Sequence, residues 1–303
     1  MQYSVYSSPE ELVKVCNTTP DLEHLSYSAK HEWNQITEGE EFYGGSTEHM
    51  TKEFYKEHSY EAKLTANIES QFDTEKFYKK KFKFQTRQTV GCRVDIPRLL
   101  NNDPRYWFSV KKIVTENRAV RVFAPMGGVG DISENEMRVC GATTCAVVEA
   151  LEANNIAVEL WASCCSRAVF YVSAGYNGVK DGTESHICQL IKLKDSSQYS
   201  DLGMINFVTG HHGFYRNFVF KDRILTAHKL NGMGIGFLGM GASYNFPRDY
   251  IPEDEDHDSS KDIIIPRTYE LDSAKKWAEE KLPEIINNIN QGVPYGNEEE
   301  ESV

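Results

Sequence analysis

The sequence predicts an α/β protein, doubly wound around a mainly parallel sheet, with an α+β region added at its N-terminus. Two stretches carry that expectation. From Arg118 to Arg167 a β-rich run, Ala119 to Ala124, turns through Pro125 to Gly130. A helical pattern then covers Met137 to Ala153 and a second β-rich run covers Ile156 to Ala162, which makes a βαβ unit with a right-handed crossover. Further on, His186 to Leu193 reads as a third core strand.

In chain order, Tyr3 to Tyr6 is a short strand, and Ser8-Pro9-Glu10-Glu11 opens a helix with a cap, a proline and early acids. Leu12, Val13 and Cys16 give that helix one apolar face. The pattern fades from Asp21 to Glu41, where Trp33 is the one large anchor, and a second helix starts after Gly44-Gly45-Ser46. This first part of the chain reads as loosely coupled to the core. Lys81 to Arg93 alternates like an edge strand. Val94 to Phe108 carries two prolines and three adjacent aromatics and reads as a linker, with Pro97 opening a short helix.

In the central helix, Met137, Cys140, Thr144, Val147, Val148 and Leu151 share one face, and Asn154-Asn155 supplies the stop. Ala168 to Ser173 reads as a further strand or a helix start. Leu202 to Val219 reads as one or two helices broken around Gly210 and Gly213. Ile263 to Ile265 is a last short strand, and Asp272 caps a terminal helix that contains Pro283. The division that follows is an accessory region over 1–93, a linker over 94–117, the α/β core over 118–291 and a disordered acidic tail over 292–303.

Forty per cent hydrophobic residues suffice for a core, and a formal charge of −12 argues against direct nucleic-acid binding. The basic cluster Lys79-Lys80-Lys81 reads as a solvated edge. No apolar run spans a bilayer and no signal-peptide pattern opens the chain, so the expectation is a cytoplasmic protein without a membrane partner. Seven cysteines, an odd number without framework spacing, read as reduced thiols, with Cys140, Cys145 and Cys188 as small core residues.

The passage Glu149 to Leu160, following the strand that begins at Val120, resembles the opening of a von Willebrand factor A-type domain. A polar N-terminal region before Val94-Asp95-Ile96-Pro97-Arg98 also resembles an uncharacterised family carried largely by bacteriophages. The first resemblance implies an A-like, Rossmann-like layout. Its usual metal loop, Asp-x-Ser-x-Ser, is replaced here by Ala124-Pro125-Met126-Gly127-Gly128, which lacks the oxygen donors a hard cation needs. Thr143 and Thr144 read as packing residues, and neither a metal nor a cofactor is expected.

Gly234-Ile235-Gly236-Phe237-Leu238-Gly239 satisfies the dinucleotide motif but lacks its strand and helix, so close backbone packing is the better account. His211-His212 with Asp222, and Cys164-Cys165, could be assembled into a Cys–His nucleophilic site or a transition-metal site. Adjacent side chains on a strand diverge, so the histidine pair could share a ligand only in a loop. Cys164 and Cys165 are placed just past the carboxyl end of a strand, where α/β proteins bind ligands. The segment Asp249 to Asp262 holds seven acids and one lysine, and its Glu253, Asp254, Glu255, Asp256 and Asp258 offer a face to a basic partner.

The functional expectation is a non-enzymatic interaction protein, phage-encoded, that acts on a host or viral protein as an inhibitor of a defence complex. A homo-oligomer is compatible with that expectation. The alternative is an enzyme with Cys164, His211 and His212 at the carboxyl ends of the core strands.

Overall fold

A computed structural model describes residues 2–18, 23, 25, 27–56, 83–88, 93–94, 107–111, 118–127, 132–170, 183–231, 243–244 and 262–292. Among them the strands are β1 (Gln2–Tyr6), β2 (Lys83–Gln88), β3 (Arg93–Val94), β4 (Trp107–Lys111), β5 (Arg118–Pro125), β6 (Ile156–Phe170), β7 (Thr183–Lys194), β8 (Ser243–Tyr244) and β9 (Ile263–Ile264). The helices are α1 (Pro9–Asn17), α2 (Tyr27–Glu38), α3 (Thr47–Phe54), α4 (Glu134–Ala153), α5 (Leu202–Gly210), α6 (His212–Phe214), α7 (Phe220–Asn231) and α8 (Leu271–Gln291). A π-turn over Tyr215–Val219 joins α6 to α7.

The main sheet runs β1-β7-β6-β5-β9, with β8 also paired to β6. The β5–α4–β6 unit forms as the periodicity predicts, in parallel register from Arg118 opposite Ile156 to Pro125 opposite Ser163. β1 with β7 and β5 with β9 are also parallel, whereas β6 and β7 are antiparallel. The fold is therefore α/β on a mixed, mostly parallel sheet.

Side-chain alternation shows where the helices lie. Val120, Val122 and Ala124 of β5 share a face with Val158, Leu160, Ala162 and Cys164 of β6 and with Gln189 and Ile191 of β7. The strand residues that pack with α4 and α8, and those that pack with α1, α2, α3, α5 and α7, all belong to this face. The opposite face carries a smaller cluster, Phe123, Cys165, Cys188 and Leu190. Among the described residues, then, the helices gather on one side, where a doubly wound layout predicts two.

The expected loose coupling of the N-terminal region is also corrected. β1 adds to the edge of the main sheet beside β7, and Leu12, Val13, Trp33, Ile36, Met50 and Phe54 share one buried cluster with Phe214 and Phe218. α2 was hidden by its polar surface: Ala29, Trp33 and Ile36 recur at three- and four-residue steps and are its buried positions. The aromatics read as a linker include β4, which is the centre of a separate sheet ordered β2-β4-β3, and β2 is indeed an edge strand. α8 begins at Leu271 with Glu270 as its cap residue, two positions before the expected Asp272, and continues through Pro283.

Other local readings match. Asn155 takes φ 61° just past α4. Thr143 and Thr144 are buried and return their hydroxyls to Val139 O and Cys140 O, as packing residues do. Gly232 to Gly241, Glu253 to Asp258, Lys79 to Lys81 and the tail beyond residue 292 lie outside the described residues.

Candidate metal centre

α4 starts from a capping box: Ser133 Oγ accepts from Glu136 N–H at 3.4 Å, and Glu136 Oε2 accepts from Ser133 N–H at 2.8 Å. This fixes Glu134 in the first turn, where the positive end of the helix dipole favours a carboxylate. α5 crosses α4 closely because two glycines meet. A Cβ on Gly141 would stand 2.9 Å from Gly210 Cα and 2.2 Å from Asn206 Oδ1. The residue after Gly210 is His211, so that close approach delivers the end of α5 to the start of α4.

His211 is extended, at φ −90° and ψ 117°, and serves both as the C-cap of α5 and the N-cap of α6. The pair His211-His212 therefore lies at a helix junction, the loop-like setting in which neighbours can converge. Their rings stack at 5.2 Å between centroids. One ligand-type atom from each of Glu134, His211 and His212 lies within 4.8 Å of the others. His212 Nδ1 is 3.7 Å from Glu134 Oε2, is buried, and has no hydrogen-bond partner. The other Glu134 oxygen, Oε1, receives Arg138 Nη2.

The remaining groups tune this cluster. His211 Nδ1 accepts from Gly213 N–H at 3.1 Å, so the neutral ring carries its proton on Nε2. Burial lowers the His212 pKa, with Arg216 and Arg138 adding to that and Glu134 opposing it. Arg216 is held away by Ile132 O at 2.8 Å and by the Phe42 ring beneath it.

Cys164 is not part of this cluster. It lies inside β6, six residues before that strand ends, and opposite Gln189 of β7. The expected position past a strand end is corrected in one sense only, because Cys164 does stand beyond the level of Pro125, the last residue of β5. Its Sγ receives Arg223 Nη2 at 2.7 Å, and the same guanidinium donates to Tyr215 Oη at 2.8 Å and Gln189 Oε1 at 3.0 Å. Asp222 accepts from Tyr6 Oη and Gln189 Nε2 and is not a member of the histidine cluster. Cys165 faces the opposite side of the sheet, across from Cys188.

The pieces imagined as one Cys–His site are thus two: a buried Arg–Cys–Tyr cluster and a His–His–Glu cluster. Sequence reading missed Glu134 because an acid after Ser133 is sufficiently explained by helix capping. The acidic residues Glu253, Asp254, Glu255, Asp256 and Asp258 lie outside the described residues.

Neither the curated proteins nor the solved structures contain a match to the chain. A family model described as a domain of unknown function, DUF7192, matches residues 2–292. The chain belongs to the DUF7192 family.

Proposed function

We propose that the protein binds a divalent transition metal of the zinc class through Glu134, His211 and His212, and that its activity is metal-assisted hydrolysis. The observation that carries this reading is the convergence of three ligand-type atoms, one from each residue, within 4.8 Å, beside the buried, unpartnered Nδ1 of His212, which lies 3.7 Å from Glu134 Oε2. Two imidazoles and one carboxylate form a donor set of the catalytic kind, which leaves a coordination position for water, and a bound ion supplies an activated water. Arg138 would hold Glu134 through its second oxygen, the outer-shell contact that orients a carboxylate ligand. Were His211 to serve as a ligand through Nδ1, it would give up the hydrogen bond it now accepts from Gly213 N–H and keep its proton on Nε2.

The test is calorimetric titration of Zn2+ into chelator-stripped protein. One equivalent per chain is expected, and His212→Ala or Glu134→Gln should each weaken binding by at least about tenfold. Wild-type protein that takes up no stoichiometric metal, or folded variants that bind as tightly as wild type, would overturn the assignment.

A second reading is that of an acidic interaction protein, carried by phage and directed at a basic host or viral surface. It is supported by the net charge of −12 and by the acidic run at residues 253–258. It calls for a stoichiometric partner whose binding weakens with salt, in place of stoichiometric metal.

A further inference from the structure

On the helical side of the sheet, α1, α2 and α3 border a cleft of about 380 Å3, a volume within the range of small-molecule sites. Lys221, at the start of α7, reaches this cleft although the residue is only 2% exposed. Its ammonium lies 4.6 Å from the centroid of the Trp33 ring. Among the described residues no carboxylate is within ion-pair distance of it. Glu48, on the cleft wall, is engaged by Lys52 at 2.6 Å. Cys16 lines the wall as a thiol whose pKa burial raises, and Asn17 completes the mouth. Among the described lining residues, two ammonium groups against one carboxylate leave one positive charge in excess.

A cation removed from water with only an aromatic face beneath it is poorly compensated, because the ring quadrupole replaces a small part of the lost hydration. The usual remedies are a carboxylate from the fold or an anion from solution, and among the described residues no carboxylate is supplied to Lys221. We infer that this cleft binds a small oxyanion-bearing molecule, a phosphate ester or a carboxylate, whose charged group sits on Lys221 with Lys52 at the rim. Burial lowers the Lys221 pKa to about 8, against an opposing contribution from Cys16, which agrees with an ammonium awaiting a counter-ion. The site is independent of the His–His–Glu cluster.

The test titrates inorganic phosphate, and acetate in a parallel arm, into the chelator-stripped full chain at low ionic strength. One saturable site for at least one anion is expected, and the preferred anion tells phosphate from carboxylate recognition. Lys221→Met should weaken binding by about tenfold or more and Lys52→Met by less, as a desolvated charge outweighs a rim charge. His212→Ala should bind as wild type, which separates this site from the metal centre. Should Lys221→Met fail to fold, amine acetylation of wild-type protein read by mass spectrometry replaces it: the anion should slow modification at Lys221. Absence of saturable binding for both anions, undiminished binding by folded Lys221→Met, or a Lys221 modification rate indifferent to the anion would overturn the inference.

Discussion

Arg223 donates through Nη2 to Cys164 Sγ at 2.7 Å, and neither residue is more than 3% exposed. The contact ties α7 to the centre of β6. Around it, Arg223 Nε reaches Gln189 Oε1, Gln189 Nε2 reaches Asp222, and Asp222 receives Tyr6 Oη from β1. One buried cation and one buried anion are thus joined through an amide, and the chain of bonds crosses three strands. The two partners should differ in what their loss costs.

Arg223→Met removes the cation but leaves Asp222 in the interior, so it should destabilise by about 3–5 kcal/mol, the scale of leaving a buried charge uncompensated. Cys164→Ser keeps an acceptor of similar size and should cost about 1 kcal/mol, the scale of one ordinary hydrogen bond. Urea denaturation followed by circular dichroism gives both values. Equal costs would mean that Arg223 acts by packing alone.

Gly127 follows β5 with φ +80°, and a Cβ there would lie 2.0 Å from the Tyr215 ring. Its carbonyl also accepts from Tyr269 Oη at 3.1 Å. Gly127→Ala combines a strained backbone with a clash against a buried ring, and should cost about 3 kcal/mol or more. Since Tyr215 also receives Arg223, the substitution should propagate: Gly127→Ala and Arg223→Met should be non-additive in a double-mutant cycle. Additive losses would place the two residues in separate units.

Much of this was legible where the signal is local. The β5–α4–β6 unit follows from periodicity over some forty residues, and the break at His211 from glycines that fit poorly inside a helix. Strand length was not local information. β6 continues through Cys164-Cys165-Ser166-Arg167, a run with little β character, because β7 pairs with it as far as Phe170 opposite Thr183 and holds it extended. Likewise Glu134 and His212 are 78 positions apart and meet through the Gly141–Gly210 crossing, whose meaning appears only once both helices are placed. Lys221 belongs to no motif that the sequence offers, and its burial shows only once α7 is packed.

The six described cysteines are all buried, on both faces of the sheet and under the helices. A thiol reagent should therefore modify at most one of the seven cysteines in native protein, Cys92, and all seven after denaturation. Two or more fast-reacting native thiols would show that a described cysteine reaches solvent.

Glu32 on α2 is held by burial at a pKa of about 7, against an opposing pull from Arg223. Its folded pKa exceeds the ordinary value of 4.5, so the native state holds the proton more tightly. The resulting stabilisation is complete below pH 4.5 and is lost as pH rises through about 7. Glu32→Gln, which stays neutral, should melt higher than wild type at pH 8 and match it near pH 4. An equal offset at both values would show that the carboxyl is solvated in the fold.

Lys221 titrates in the opposite sense. Its folded pKa of about 8 lies below the ordinary 10.5, so between those values the native state binds fewer protons and stability rises with pH. Below pH 8 the full cost of desolvating the ammonium is present. Lys221→Met, which keeps an apolar chain against Trp33, should therefore melt above wild type at pH 7, and the gap should narrow as pH rises from 8 towards 10.5. Phosphate or acetate, by supplying the missing counter-charge, should narrow the same gap at constant pH 7 by raising the wild-type melting temperature while leaving Lys221→Met where it was. A gap that ignores both pH and anion would mean that Lys221 is already compensated, and the cleft would lose its reason to bind an anion.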